Sequence, residues 1–266
     1  MQRIAFPRVF VAFAAVCALA AVATQAVAGL DRAAFFAINE LALRWLPFWL
    51  PSNLTILGHG LVAVMILAPL LPRAPQVLAA ALYAAPLAAL FSRFGKWLVA
   101  AARPAAVLDP SSFRVQGPLL SGHNSFPSGH SITIFLVVST VILADQRLRR
   151  RPVATLGLLC AGLLAASSRI MVGAHWPSDV LVGAVLGMLA GALGSFGAER
   201  WRLWRREGTS TAFALIVLAC ACALALVDTG YPLALPLQWA AVAVGASCGA
   251  ITIVQALRKR SAVPPL

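Results

Sequence analysis

Three short polar stretches in an otherwise apolar chain contain residue types that could bind an anion and move a proton beside it. In the first stretch, Lys96 and Arg103 stand seven residues apart, which returns them to nearly one face of a helix, two turns apart. Pro104 follows directly and is expected to end that helix, because proline disfavours the helical conformation of the preceding residue. Two fixed cations with no acid nearby suit a dianionic ligand; alternatively, both anchor the chain among lipid headgroups.

The second stretch runs from Gly122 to His130 and leads into an apolar run. Ser128 is a predicted N-cap, and Gly129 would let a ligand approach the backbone closely. The unpaired N–H groups and the positive dipole end of a helix start together form an anion site. His130 would then give or take a proton beside the anion. The alternative is a simple loop-to-helix cap with an interfacial histidine, and we assign no role to His123.

The third stretch runs from Ser168 to Asp179. Pro177 suits the first turn of a helix, and Asp179 in the same turn could accept a hydrogen bond from the ring N–H of His175. The other imidazole nitrogen is then free to act as base, nucleophile or ligand. Arg169 adds a planar, permanently charged fork that matches phosphate oxygens.

Taken together, the three cations, two histidines and one aspartate predict a phosphate site that uses no metal ion and no cofactor. The sequence has no cluster of Cys and His ligands and no second group of carboxylates that would hold a metal. Its five cysteines lie within apolar runs and form no CxxC pair, so we interpret them as buried free thiols.

The composition determines what kind of element positions these residues. Of the 266 residues, 61% are hydrophobic and 11% charged, with a mean hydropathy of +0.88, which excludes both an ordinary soluble domain and a disordered chain. The 21 basic residues far outnumber the 8 acidic ones. Because they fall in short clusters between apolar runs, they indicate membrane topology rather than a nucleic-acid partner.

Apolar runs of roughly 20 residues predict an all-α, polytopic membrane bundle of about eight spans. The predicted spans lie near residues 8–28, 54–71, 77–95, 128–145, 153–170, 178–198, 211–227 and 236–257. Both termini then lie on one side, predicted to be the cytoplasm because most basic residues fall there. The basic residues on the outer side are Arg32, Arg44, Arg93, Lys96, Arg103, Arg114 and Arg169.

Three regions have a less specific interpretation. The first apolar run also fits a secretory signal that ends in Ala26-Val27-Ala28, although we favour a retained helix. Residues 29–53 are amphipathic and aromatic and are expected at the outer interface. The last two spans carry almost no polar side chains apart from Gln238 and Gln255, and we expect them to serve packing alone.

At the three polar stretches the sequence resembles the type 2 phosphatidic acid phosphatase (PAP2) superfamily. That family carries the signature KxxxxxxRP, PSGH and SRxxxxxHxxxD, and this chain has all three in order at 96–104, 127–130 and 168–179. The resemblance implies a six-helix catalytic core at about residues 1–200. Residues 201–266 would add a basic cytoplasmic linker, a C-terminal transmembrane hairpin and a short tail.

The resemblance also implies a role for each motif residue. His175 would attack phosphorus to form a phosphohistidine, with Asp179 aligning it, and His130 would protonate the leaving oxygen and later help to activate water. The phosphoryl oxygens would be held by Lys96, Arg103, Ser128, Gly129 and Arg169.

The expected activity is metal-independent hydrolysis of a lipid phosphate or diphosphate at the periplasmic face of a bacterial inner membrane. Candidate substrates are undecaprenyl diphosphate, phosphatidylglycerol phosphate and phosphatidate. One alternative is a phosphotransferase that passes the phosphoryl group to lipid A or another lipid, and a second is a non-catalytic lipid binder or transporter. The expected partners are the lipid substrate and the bilayer, with no nucleic acid, and the sequence does not specify an oligomeric state.

Overall fold

The computed structural model describes residues 6–206 and 208–261, and within these residues all regular secondary structure is helical. Arg3, which flanks the first predicted span, lies outside the described residues. The all-α prediction is confirmed. The α-helices are α1 (Arg8–Ala26), α2 (Leu30–Trp45), α3 (Leu50–Ile56), α4 (Gly60–Leu67), α5 (Pro75–Val99), α6 (Pro104–Val107), α7 (Gly129–Ala144), α8 (Gln146–Arg149), α9 (Pro152–Met171), α10 (Pro177–Trp201), α11 (Thr209–Leu226) and α12 (Leu235–Ser261).

Six helical segments of the described chain are long and apolar enough to cross a membrane. The predicted span near 54–71 is instead two helices, α3 and α4, bent by 79° at a short break, and counting the pair as one span gives seven. The predicted span at 128–145 is α7, whose 16 residues extend for about 24 Å, less than the roughly 30 Å of hydrocarbon in a bilayer. The total of eight crossings therefore stays a prediction.

Helix α10 packs against α7 through a stripe of glycines at Gly183, Gly187 and Gly191. A Cβ atom at Gly183 would lie only 2.7 Å from the carbonyl oxygen of Ser128, and one at Gly191 only 2.6 Å from Cβ of Ser139. Glycines spaced by four let two helix backbones approach closely where larger side chains would hold them apart. The stripe therefore sets how the starts of α7 and α10 lie against each other.

Four helix termini meet at one end of the bundle, where α5 and α9 end and α7 and α10 begin. The backbone N–H of Ser128 donates to the carbonyl of Asp179 at 3.0 Å, which joins the starts of α7 and α10. The Nζ atom of Lys96, in the last turn of α5, donates to the carbonyl of Pro127 at 3.1 Å. The opposite end carries the arginines that flank these helices, of which Arg73, Arg147, Arg150, Arg151, Arg200, Arg205 and Arg206 are exposed.

Two large apolar clusters hold the bundle together. One cluster consists of side chains from α4, α5 and the hairpin formed by α11 and α12, and includes Met65, Leu78 and Val217. The other packs α1, α7, α9 and α10, with Phe135 and Leu159 almost fully buried. The hairpin packs mainly against α4, which in turn contacts α5 and α7.

Helix α2 covers the end of the bundle where the four helix termini meet. Its Phe35 side chain is fully buried and makes aromatic contacts with Phe113 and Trp176, at ring-centroid distances of 5.2 and 5.1 Å. Asn39 on the same helix donates to the carbonyls of Arg114, Ile170 and Met171, at 3.0 to 3.1 Å. These contacts connect α2 to the last turn of α9 and to the loop before α7.

Candidate functional site

A buried imidazole and carboxylate lie at the centre of this end. The Nδ1 atom of His175 is 3.1 Å from Oδ2 of Asp179, and both side chains are almost completely buried. Pro177 occupies the first turn of α10, as predicted, and the same turn brings Asp179 back towards His175. The same Oδ2 accepts hydrogen bonds from the backbone N–H of Trp176 at 2.9 Å and from Ser125 Oγ at 2.5 Å. The carboxylate is therefore fixed from three directions.

The second imidazole nitrogen faces a guanidinium group. Nη1 of Arg103 lies 3.4 Å from His175 Nε2 and also donates to the carbonyl of Ala174 at 2.9 Å. Arginine can only donate and an ionised carboxylate can only accept, so Nδ1 of His175 carries the proton and Nε2 carries a lone pair. An anionic group bound by Arg103 would therefore lie next to this lone pair, which could attack it.

Arg103 reaches the site from a loop, and this corrects the predicted helix. Helix α5 ends at Val99, Ala100 adopts a left-handed conformation with φ of 45°, and Pro104 begins α6 instead of ending α5. Lys96 and Arg103 therefore do not share one helical face. Both nonetheless converge on Asn124: Lys96 Nζ donates to its carbonyl at 2.7 Å and Arg103 Nε donates to its Oδ1 at 2.8 Å.

Arg169 is the most deeply buried of the motif cations, with 3% of its surface exposed. Its Nη1 donates to Oγ1 of Thr55 at 2.9 Å and to the hydroxyl of Tyr231 at 2.7 Å. Its Nε is buried and has no hydrogen-bond partner among the described residues. Since buried donors are nearly always satisfied, an unpaired donor at this position indicates a missing acceptor.

The start of α7 supplies backbone donors at the same end. Ser128 is the N-cap, as predicted, and its Oγ accepts from the N–H of Ser131 at 3.4 Å. Gly129 is the first helical residue, and a Cβ atom there would lie 3.0 Å from Ser92 Oγ. The start of this helix thus lies close against Ser92 of α5, and its dipole favours negative charge.

His130 lies in the first turn of α7, beside the bend between α3 and α4. A Cβ atom at Gly58, within that bend, would lie 2.7 Å from Cβ of His130, so the close approach requires glycine. The hydrogen bond between Ser128 and Asp179 brings this turn to the same end as His175, within range for an electrostatic interaction between the two rings. The structure therefore brings the eight predicted site residues together.

The charge around His175 determines its protonation. Burial lowers the pKa of His175 well below 6.5, and the positive charges of Arg169, Arg103 and Lys96 lower this pKa further. The imidazole is therefore neutral at physiological pH, which is the state in which Nε2 can attack an electrophile. Three cations that repel a proton from this ring would equally attract a doubly charged anion.

Several residues of the site were missed by the sequence reasoning. Asn124 and Ser125 stand inside the second polar stretch, but only the structure shows that they contact Arg103 and Asp179. Asp31, on α2, accepts from the N–H and Oγ of Ser178 at 2.9 and 2.6 Å and so caps the start of α10. Thr55 and Tyr231 gave no signal, because neither lies in one of the three polar stretches.

Two further observations bear on the composition of the site. His123, to which the sequence assigned no role, is exposed. Over residues 6–206 and 208–261, no group of three or more His, Cys, Asp or Glu side chains is arranged to hold a metal ion.

Comparison with known proteins identifies relatives of this region. The chain is 32% identical over 117 residues to a lipid A 1-phosphatase of Rhizobium johnstonii, covering 43% of this chain and 38% of that protein. It is 30% identical over 101 residues to an undecaprenyl-diphosphatase of Sulfolobus acidocaldarius, covering 38% of this chain and 45% of that protein. The chain thus spans less than half the length of these curated relatives.

The fold is shared with a solved structure. The crystal structure of Aquifex aeolicus LpxE superposes with a TM-score of 0.52 at 24% identity, covering 62% of this chain and 94% of that one. The sequence model of the PAP2 superfamily matches residues 77–204, a range that contains all three polar motifs. Residues 77–204 of this chain, with the three motifs that they contain, therefore resemble the PAP2 superfamily.

Proposed function

We propose that this protein is a phosphatase that hydrolyses a lipid phosphate or diphosphate through a phosphohistidine at His175. The observation that carries the proposal is the neutral imidazole of His175, held by Asp179 at one nitrogen and facing Arg103 with the other. The matched family and the curated relatives, which are named for lipid A 1-phosphate and undecaprenyl diphosphate hydrolysis, support the same class of reaction.

In the first step, the lone pair on His175 Nε2 attacks phosphorus, and the bond from phosphorus to the leaving oxygen breaks. His130 donates its proton to that oxygen. Asp179 holds the Nδ1 proton and stabilises the imidazolium as positive charge develops on the ring. Arg103, Arg169 and Lys96, with the N–H groups at the start of α7, stabilise negative charge on the phosphoryl oxygens.

In the second step, water attacks the phosphohistidine while His130, now without its proton, accepts a proton from that water. The bond between phosphorus and Nε2 breaks, its electron pair returns to the imidazole, and inorganic phosphate leaves. Both steps use only side chains and backbone groups of this chain. Positioning and electrostatic stabilisation supply the rate enhancement, as in other phosphoryl transfers.

A lipid substrate is supported by an apolar cavity that begins at the site. The cavity has a volume of about 410 Å³, and Ser92, Gly129 and His130 line its polar end. Its remaining lining is mainly the apolar faces of α4, α5 and α7, including Leu67, Leu78, Ala81, Leu82, Ala85 and Leu136. A substrate with an acyl or isoprenoid chain could place its phosphate near His130 and its hydrocarbon along these faces.

The experiment is phosphate release by the purified protein from a panel of undecaprenyl diphosphate, phosphatidylglycerol phosphate, phosphatidate and lipid A 1-phosphate. We expect release from at least one of them, with a loss of about 10⁴-fold or more in His175→Ala, because the nucleophile is removed. The exposed His123→Ala is the matched control and should retain activity. Equal release by the wild type and His175→Ala from every substrate would refute the proposal, and label that appears on a second lipid would indicate transfer.

We also propose that both termini are cytoplasmic and that the site faces the periplasm of a bacterial inner membrane. The exposed arginines at the end opposite the site support this orientation through the positive-inside rule. Leu119→Cys, in the exposed loop at the site end, should react with a membrane-impermeant thiol reagent added to the periplasm, whereas Arg150→Cys should not. The signal from the five native cysteines is measured in the unsubstituted protein and subtracted. Labelling of Arg150→Cys but not of Leu119→Cys would contradict the orientation.

A further inference from the structure

The hairpin of α11 and α12 lies outside the matched region at 77–204, yet it contributes a side chain to the anion site. Tyr231, in the connection between its two helices, is 5% exposed, and its hydroxyl accepts from Arg169 Nη1 at 2.7 Å. The guanidinium carbon of Arg169 lies 6.0 Å from the centre of the tyrosine ring. The hairpin therefore contacts the most deeply buried of the motif cations.

The position of Tyr231 is fixed by its own surroundings. Its ring packs in a small apolar cluster with Ile56, Val172 and Ala174, so it lies against both α3 and the loop that leads to His175. A Cβ atom at Gly117 would lie 2.5 Å from Cε1 of Tyr231, which shows that the loop before α7 also contacts the ring. The hydroxyl is consequently held at a fixed place relative to the motif residues.

Gln238 on α12 holds the connection from the hairpin side. Its Nε2 donates to the carbonyls of Leu224 and Val227, at 2.8 and 2.9 Å, and its Oε1 accepts from Thr229 at 3.1 Å. These bonds satisfy carbonyls at the end of α11 that the helix itself leaves unpaired. One of the few polar side chains of the hairpin thus orders the segment that carries Tyr231.

The contacts of Arg169 define what Tyr231 does there. Nη1 has two N–H groups, and the hydroxyls of Thr55 and Tyr231 accept both. Because the guanidinium is planar, fixing Nη1 also fixes the direction of the opposite edge, formed by Nε and Nη2. Nε on that edge is the buried donor without a partner among the described residues.

We propose that Tyr231 is a positioning residue, which holds Arg169 so that its Nε and Nη2 edge is presented to the phosphoryl group of the substrate. The terminal hairpin is then a working part of the phosphate site as well as a packing element. This inference rests on the proposed phosphatase function.

The test compares Tyr231→Phe, which keeps the ring and removes the hydroxyl, with Tyr83→Phe. Tyr83 is the other tyrosine of the chain. Its ring contacts that of Trp201, the last residue of α10, with 5.3 Å between the ring centroids. We expect Tyr231→Phe to lower kcat about tenfold, as for loss of a hydrogen bond to a charged group, with a smaller change in KM. Tyr83→Phe should retain wild-type kinetics, and both variants should keep their Tm within about 2 °C.

A double-substitution cycle separates positioning from a general packing effect. In an Arg169→Ala background, Tyr231→Phe should cause no further loss of kcat, because the group that it orients is absent. Losses that multiply in the double variant, or a kcat of Tyr231→Phe equal to that of the wild type, would overturn the proposal.

Inorganic phosphate provides a readout that does not need turnover. Phosphate should raise the Tm of the wild type, and Tyr231→Phe should need about tenfold more phosphate for the same rise. If no lipid phosphate is hydrolysed by the wild type, the phosphatase proposal fails, while this shift still tests the role of Tyr231. An equal phosphate requirement in the wild type and Tyr231→Phe would overturn the positioning role.

Discussion

The two ends of the bundle are both rich in arginine, but they hold it in different ways. At the site end, Arg103, Arg114 and Arg169 are between 3% and 8% exposed and donate to carbonyl, amide and hydroxyl oxygens. At the opposite end, Arg150 and Arg205 are exposed. A cation kept out of water must have partners or a ligand, whereas an exposed one needs neither.

The buried arginines also differ among themselves. Arg114 donates to the carbonyls of Ala42 and Phe48, each at 3.2 Å, and its guanidinium lies 4.7 Å from the ring centre of Phe48. Those contacts attach the loop before α7 to α2 and its following turn. The charges of Arg103, Arg169 and Lys96 instead act on His175, and under the proposed function these three cations bind the anionic group. Burial alone therefore does not identify a binding cation; its position relative to the imidazole does.

The largest expected difference between the two ends is in activity after removal of a single charge. Arg103→Ala and Arg169→Ala should each lower kcat about 10²- to 10³-fold, because each removes a donor to the charge that develops on the phosphoryl oxygens. Arg150→Ala and Arg205→Ala should change kcat by less than about twofold, since exposed charges far from the reaction are screened. The measurement is steady-state phosphate release, and losses of similar size at the two ends would remove the distinction.

A smaller effect is expected in the pH dependence of the reaction. Burial, followed by Arg169, Arg103 and Lys96, lowers the pKa of His175 below 6.5, so kcat/KM should fall on the acid side only below that pH.

Lys96→Gln removes one of the cations that disfavour the protonated ring of His175 and should move the acid limb to higher pH. Arg150→Gln, at the opposite end, should leave the limb where it is. A flat profile between about pH 4 and pH 9 would argue against two catalytic histidines.

The smallest expected effect is on stability. The folded-state pKa of His175 lies below its unfolded value of 6.5, so the unfolded chain binds more protons as the pH falls through 6.5. The contribution of this histidine to stability is therefore complete above pH 6.5 and is lost at lower pH. The Tm of the protein in detergent should fall between pH 7.5 and pH 5, and by less in His175→Gln. An equal fall in both proteins would assign the loss to other groups.

Much of the site could be predicted from the sequence, because its determinants are local. The spacing of four residues between His175 and Asp179, with Pro177 between them, is sufficient to form the pair across a loop-to-helix junction. The N-cap at Ser128 is local in the same sense. Apolar runs indicated the helices because a bilayer requires satisfied backbone groups over a defined length.

The features that were wrong or missed depend on contacts between distant segments. Nothing in the alanine-rich run at 100–102 marks the end of α5. The chain leaves the helix because Arg103 N–H donates to Gly122 and Ala101 accepts from Ser125, each at 3.0 Å. The bend between α3 and α4 likewise lies against His130, which is far away in sequence. Tyr231 lies 62 residues after Arg169, in a hairpin whose composition predicts packing alone.

In the proposed reaction, His175 forms a covalent bond to phosphorus during turnover. The direct measurement is rapid mixing with a lipid phosphate labelled in its terminal phosphoryl group, followed by a denaturing quench at alkaline pH and peptide mapping by mass spectrometry. We expect a labelled adduct on His175 that is stable in base, is hydrolysed in acid and forms at least as fast as phosphate is released. Full activity with no adduct, or an adduct on another residue that appears at the rate of turnover, would contradict it.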